Sequence, residues 1–90
     1  MKDPVINLSE HARGEAVRRG IAAATVVAVA TEPEQVLPQQ PGREIRQSRV
    51  TFSPGGKTYL VRVVVDVRAG DETVVTVYRM SKIEKYWRQQ

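Results

Sequence analysis

The chain contains no cysteine and a single histidine in 90 residues. Without thiols there is neither a disulfide framework nor a thiolate metal cage, and one histidine leaves too few soft ligands for a structural zinc. No metal and no other cofactor is therefore expected, and a cysteine-free chain fits a reducing cytoplasm. Long apolar runs are also lacking. The longest, Ile21 to Ala30, falls well short of the roughly 20 residues needed to span a bilayer. Its ending, Ala28-Val29-Ala30, imitates a signal-peptide cleavage site, yet the segment before it carries Asp3, Glu10 and Glu15. Cleavage there would strip the helices from the domain, so the run is read as a helix.

A chain this short has room for one small domain and no second catalytic lobe. It buries only roughly 60 to 65 % of its unfolded surface, so a homodimer or a bound partner is expected to add stability. The net charge of +4 and the pI near 9.9 favour phosphate-bearing or acidic partners, such as RNA or an acidic antitoxin-like protein.

Ser9 is a good N-cap, and Gly20 supplies a left-handed stop after Arg18 and Arg19, which predicts a helix over 9–19. Gly14 inside it costs about 1 kcal/mol relative to alanine, so this helix needs tertiary support. A second helix is predicted over 22–31, ended by Pro33. The proline-rich stretch 33–42 reads as the connection to the sheet, with Val36 and Leu37 forming a brief strand or an anchored loop. From Arg43 the periodicity changes to two, predicting strands over 43–52, 58–68 and 73–80. The expected class is α+β, with two N-terminal helices packed on a three- to four-stranded antiparallel sheet.

In the central strand Val61, Val63, Val65 and Val67 point to the core, while Leu60, Arg62, Val64 and Asp66 point away. Pairing Val65 with Val75 and Val63 with Val77 sets Arg62 across from Tyr78, with Lys82 nearby.

Ser9-Glu10-His11-Ala12, Arg19-Gly20-Ile21, Pro33, Val74-Val75-Thr76-Val77-Tyr78 and Ser81-Lys82-Ile83-Glu84-Lys85-Tyr86-Trp87 occur in order from Leu8 to Trp87. In these motifs the chain resembles domain-of-unknown-function family 4258, which is associated with the RelE/ParE and BrnT-like toxin superfamily. The resemblance implies a two-helix, curved-sheet toxin that cuts RNA without metal and is silenced by a cognate antitoxin. Some members of that superfamily cleave messenger RNA on the ribosome and others poison gyrase, so fold does not choose the activity. Glu15 stands where the first-helix motif of relatives is expected to carry a second arginine.

Metal-free RNA cleavage needs a base for the ribose 2′-hydroxyl, cations for the phosphorane and an acid for the leaving oxygen. His11, Arg62 and Tyr78 are the candidate catalytic residues. Arg62 offers bidentate donors to phosphate, or simply pairs with Asp66 on the surface. Tyr78 orients a proton or stacks on a base, or fills a cross-strand position. His11 is the side chain with an ordinary pKa near neutrality, suited to acid–base work or to fixing its helix by a hydrogen bond. Arg18, Arg19, Lys82 and Lys85 are the candidate RNA-phosphate contacts, against a solvated-face alternative for each. Ser53-Pro54-Gly55-Gly56-Lys57 lacks phosphate-loop spacing and reads as a hairpin turn. Trp87 is expected to dock against the body of the domain, since a free terminal aromatic promotes association.

Overall fold

A computed structural model describes residues 5–68 and 70–89. The described residues form, in order, β1 (Val5–Leu8), α1 (Glu10–Arg18), α2 (Ala23–Thr31), β2 (Gln35–Gln40), β3 (Arg43–Phe52), β4 (Lys57–Arg68), β5 (Asp71–Met80) and α3 (Ile83–Tyr86). The strands make one five-stranded sheet in the order β1-β5-β4-β3-β2. The class is α+β, but the sheet is larger than the three to four antiparallel strands expected, and it is mixed. β1 runs parallel to β5, from Val5 opposite Asp71 to Leu8 opposite Val74. Four residues carry too little periodicity to read as a strand, and only the neighbouring β5 gives them hydrogen-bond partners. β2 is an edge strand, where Pro38 is tolerated because one side of the strand needs no donor.

The helix ends follow local chemistry. Ser9 accepts a hydrogen bond from the Ala12 N–H (3.0 Å) and donates its hydroxyl to the Val75 carbonyl (3.3 Å), so the cap also ties α1 to β5. Gly20, at φ +66°, closes α1: its N–H bonds the Val17 carbonyl (3.2 Å) while the Ile21 N–H bonds Ala16 (2.8 Å). This 6→1 and 5→2 pairing satisfies the last carbonyls and turns the chain into α2.

Both helices cover one face of the sheet. Ala12, Ala16, Ile21, Val26, Val29 and Ala30 pack on Val61, Val63, Val65, Val74 and Val77, all buried. Small helix residues let the backbones sit close to a valine-rich face, and each buried valine contributes about 1.5 to 2 kcal/mol. The expected Val65–Val75 pair does not form. A β-bulge pairs Val65 with Val74, while Val63–Val77 and Arg62–Tyr78 pair as anticipated. Val75 is the extra residue, so Val74 takes its place in the core.

One charged cluster lies on the helix side. Arg46, 8 % exposed, donates to the Ala30 carbonyl at the end of α2 (2.6 Å), to both Glu72 oxygens (2.8 and 2.8 Å) and to Glu44 (2.7 Å). It pins α2 to β3 and β5, and the helix C-terminus welcomes its charge. Arg46 holds the Glu72 carboxyl below its ordinary range, as Arg18 and Arg19 do for Glu15, Arg49 for Glu34 and Arg43 for Asp66.

A carboxylate with a lowered folded-state pKa stabilises the fold above its unfolded pKa, and that contribution disappears as pH falls through the folded value. Urea midpoints are therefore expected to be level from neutrality to about pH 5 and to drop below about pH 4. Glu72→Ala is expected to cost about 3 kcal/mol at neutral pH, because Arg46 loses its main counter-charge while remaining buried.

Candidate functional site

The face of the sheet turned away from α1 and α2 carries a polar row. Gln35, Gln47, Arg62 and Tyr78 lie directly across β2, β3, β4 and β5. Gln47 Nε2 donates to Gln35 Oε1 (2.7 Å), Arg62 Nε to Gln47 Oε1 (2.8 Å) and Arg62 Nη1 to the Tyr78 hydroxyl (3.2 Å). Arg62 is 9 % exposed and Gln47 is fully buried. The Asp66 alternative for Arg62 does not hold, because Asp66 pairs with Arg43. Among the described residues Arg62 has no carboxylate partner. Its Nη2 carries no hydrogen bond among the described residues.

The C-terminal segment lies over the row. Gln47 Nε2 donates to the Tyr86 carbonyl (3.2 Å), Gln35 Nε2 to the Arg88 carbonyl (2.7 Å), and the Arg88 N–H returns to Gln35 Oε1 (3.0 Å). The Tyr86 ring centre is 5.0 Å from the Arg62 guanidinium carbon, and that of Trp87 is 4.2 Å from Arg49. Trp87 is half-buried, docked as expected, with an arginine face as its seat.

Beside this segment an open groove of about 770 Å³ runs between the end of α1, the end of β5 and α3. Arg18, Arg19, Arg79, Lys82 and Lys85 line it with Tyr59 and Tyr86, and no carboxylate does. Four of these five cations are the predicted phosphate contacts. Lys82 belongs to the groove and not to the Arg62–Tyr78 row. Arg79 is the residue that sequence reasoning missed. Its guanidinium carbon lies 4.4 Å from the Phe52 ring centre and 4.5 Å from that of Tyr59, with no ion pair among the described residues. Its only sequence signal is an arginine at the end of a strand, which does not foretell two aromatic neighbours. Glu15 pairs with both Arg18 and Arg19, so it orients those two cations while partly neutralising them.

His11 sits exposed on the first turn of α1. That helix packs on the valine face, so the sheet separates His11 from Arg62 and Tyr78. It is also absent from the groove lining. The three residues named for catalysis are thus two together and one apart, because strand alternation sends Arg62 to the face that α1 does not cover. The Ser53–Gly56 segment is the β3–β4 hairpin turn.

Removing the Gln47 side chain leaves Arg62 Nε without an acceptor in a fully packed position, and Gln47→Ala is expected to cost about 3 kcal/mol in urea unfolding. Tyr78→Phe deletes one hydroxyl at a half-buried site and is expected to cost about 1 kcal/mol or less.

Comparison with the curated proteins and with solved structures finds no match. A family model does match, over residues 8–79, which takes in α1 through nearly all of β5 and so the whole polar row. The chain belongs to the family described as Domain of unknown function (DUF4258).

Proposed function

We propose that this protein is a small RNA-binding toxin of the RelE/ParE-like kind, which seats the backbone of single-stranded RNA in the groove and cleaves it with its own side chains. The observation that carries the reading is the groove itself: five cations and two tyrosine rings with no carboxylate among the residues lining it. Cations there displace counterions from the RNA, and ring faces accept unpaired bases of any sequence. Arg79 is the strongest phosphate ligand in this reading, because aromatic faces hold it without neutralising it.

Cleavage draws on the adjoining Arg62–Tyr78 pair. The ribose 2′-oxygen attacks phosphorus, the bond to the 5′-oxygen breaks, and the products are a 2′,3′-cyclic phosphate and a 5′-hydroxyl. Arg62 Nη2, which carries no hydrogen bond among the described residues, would meet the charge that builds on the phosphorane, and Tyr78 would carry the proton of the 2′-hydroxyl to the departing 5′-oxygen. A cognate antitoxin would silence the protein by covering the groove. The second reading, binding without cleavage, is favoured by the place of His11: the one histidine is on the other side of the sheet.

Induced expression in a bacterial host, with growth and total RNA integrity read from the same cultures, separates the two readings. Growth arrest with RNA fragmentation is expected for wild type and for His11→Ala, and is expected to be lost in Arg62→Ala and in the milder Tyr78→Phe at equal protein level. Intact RNA alongside measurable RNA binding would leave the binding module. In that binding, Arg79→Ala, Lys82→Ala and Lys85→Ala are each expected to lower the log–log salt slope by about 0.7 on single-stranded RNA.

A further inference from the structure

Two guanidinium groups on the helix-free face are fixed by hydrogen bonds and sit over aromatic rings. Arg62 is fixed by Gln47 and Tyr78, and its guanidinium carbon sits over the Tyr86 ring. Arg49, two residues beyond Gln47 on β3, is fixed by both Glu34 oxygens (3.2 and 2.7 Å), and Trp87 lies over it. Between them the amides of Gln35 and Gln47 meet the backbone of residues 86 and 88. Gln35 both donates to and accepts from Arg88, the kind of donor–acceptor pair that the edge of a nucleobase also offers. Beside Gln35 and Arg88 the surface opens into a cleft of about 450 Å³.

The segment is lightly held. α3 has only four residues and no side-chain cap, and the polar anchors seen beyond it are the neutral amides of Gln35 and Gln47. We infer that this face is a nucleobase-binding platform for unpaired RNA bases, which the chain's own Tyr86 and Trp87 occupy in the absence of RNA. Arg62 and Arg49 each stack one base, Gln47 and Gln35 meet the base edges, and the tail swings aside when RNA binds. The platform adjoins the groove at the seat of Tyr86, and Arg18, Arg19, Arg79, Lys82 and Tyr59 still line the groove once Tyr86 swings away, so a strand whose backbone lies there can lay consecutive bases on the platform. This inference rests on the RNA reading above and adds to it a site for bases, distinct from the phosphate grip.

The chain's single tryptophan is a built-in reporter, since Trp87 leaves its seat when a base replaces it. The full chain is titrated with a short oligoadenylate and with an abasic strand of equal length and equal phosphate count, following Trp87 emission and the anisotropy of the labelled strand. The oligoadenylate is expected to shift Trp87 emission to the red and to bind about thirtyfold tighter than the abasic strand, from roughly 1 kcal/mol for each of two stacked bases. Arg49→Ala, at an exposed position, is expected to shrink that difference to about fivefold while binding of the abasic strand is almost unchanged. Tighter binding of the oligoadenylate with Trp87 unmoved overturns the platform and leaves the groove reading standing, and equal binding of the two strands overturns the platform and leaves only the phosphate grip of the groove. Failure of both strands to bind overturns the two together.

Discussion

Arg62 is a cation buried in a sheet with no carboxylate beside it, and the functional face is arranged around that fact. An unpaired buried charge is costly, so its donors must be met by other means. Here an amide, a phenol hydroxyl and the faces of two tyrosine rings meet it, at 5.0 Å for Tyr86 and 5.8 Å for Tyr78. Each partner stands on a different element, so the register of β3, β4 and β5 and the docking of the C-terminal segment all serve one side chain. A one-residue slip in any pair would turn a member of the row to the other face.

The distribution of charge follows from the same arrangement. Glu15, Glu34, Glu44, Asp66 and Glu72 are each engaged by arginines, and they account for the ion pairs seen among the described residues. Arg62, Arg79, Lys82 and Lys85 take no part in those pairs. Arg79, Lys82 and Lys85 meet in the groove beside the end of β5, whereas the Arg46 cluster on the helix side, one arginine between Glu44 and Glu72, is negative on balance. The two faces divide the work: valines and the Arg46 cluster hold the helices, and the polar row with its cover offers the chemistry.

Much of this was legible in the sequence where a single element settles the matter. Ser9, Gly20 and Pro33 mark the helix ends because capping and termination are local, and the alternation from Arg43 onward marks β3 to β5 because pleating has period two. Arg62 opposite Tyr78 followed from that alternation. β1 was not legible, since four residues become a strand only beside β5, nor was the bulge at Val75, which depends on how β4 and β5 meet.

The candidate site divides in the same way. Residue types and charge alone nominated Arg18, Arg19, Lys82 and Lys85 as phosphate contacts, with Lys82 set beside Arg62 and Tyr78, and it is the meeting of α1, β5 and α3 that gathers the four in one groove. What only the tertiary structure decided is who stands with whom: His11 behind the sheet, Arg79 between Phe52 and Tyr59, and Tyr86 on Arg62. Periodicity determines which face of its own element a side chain occupies. It carries no information on which distant element covers that face, and that is set by the packing of helices, strands and tail against one another.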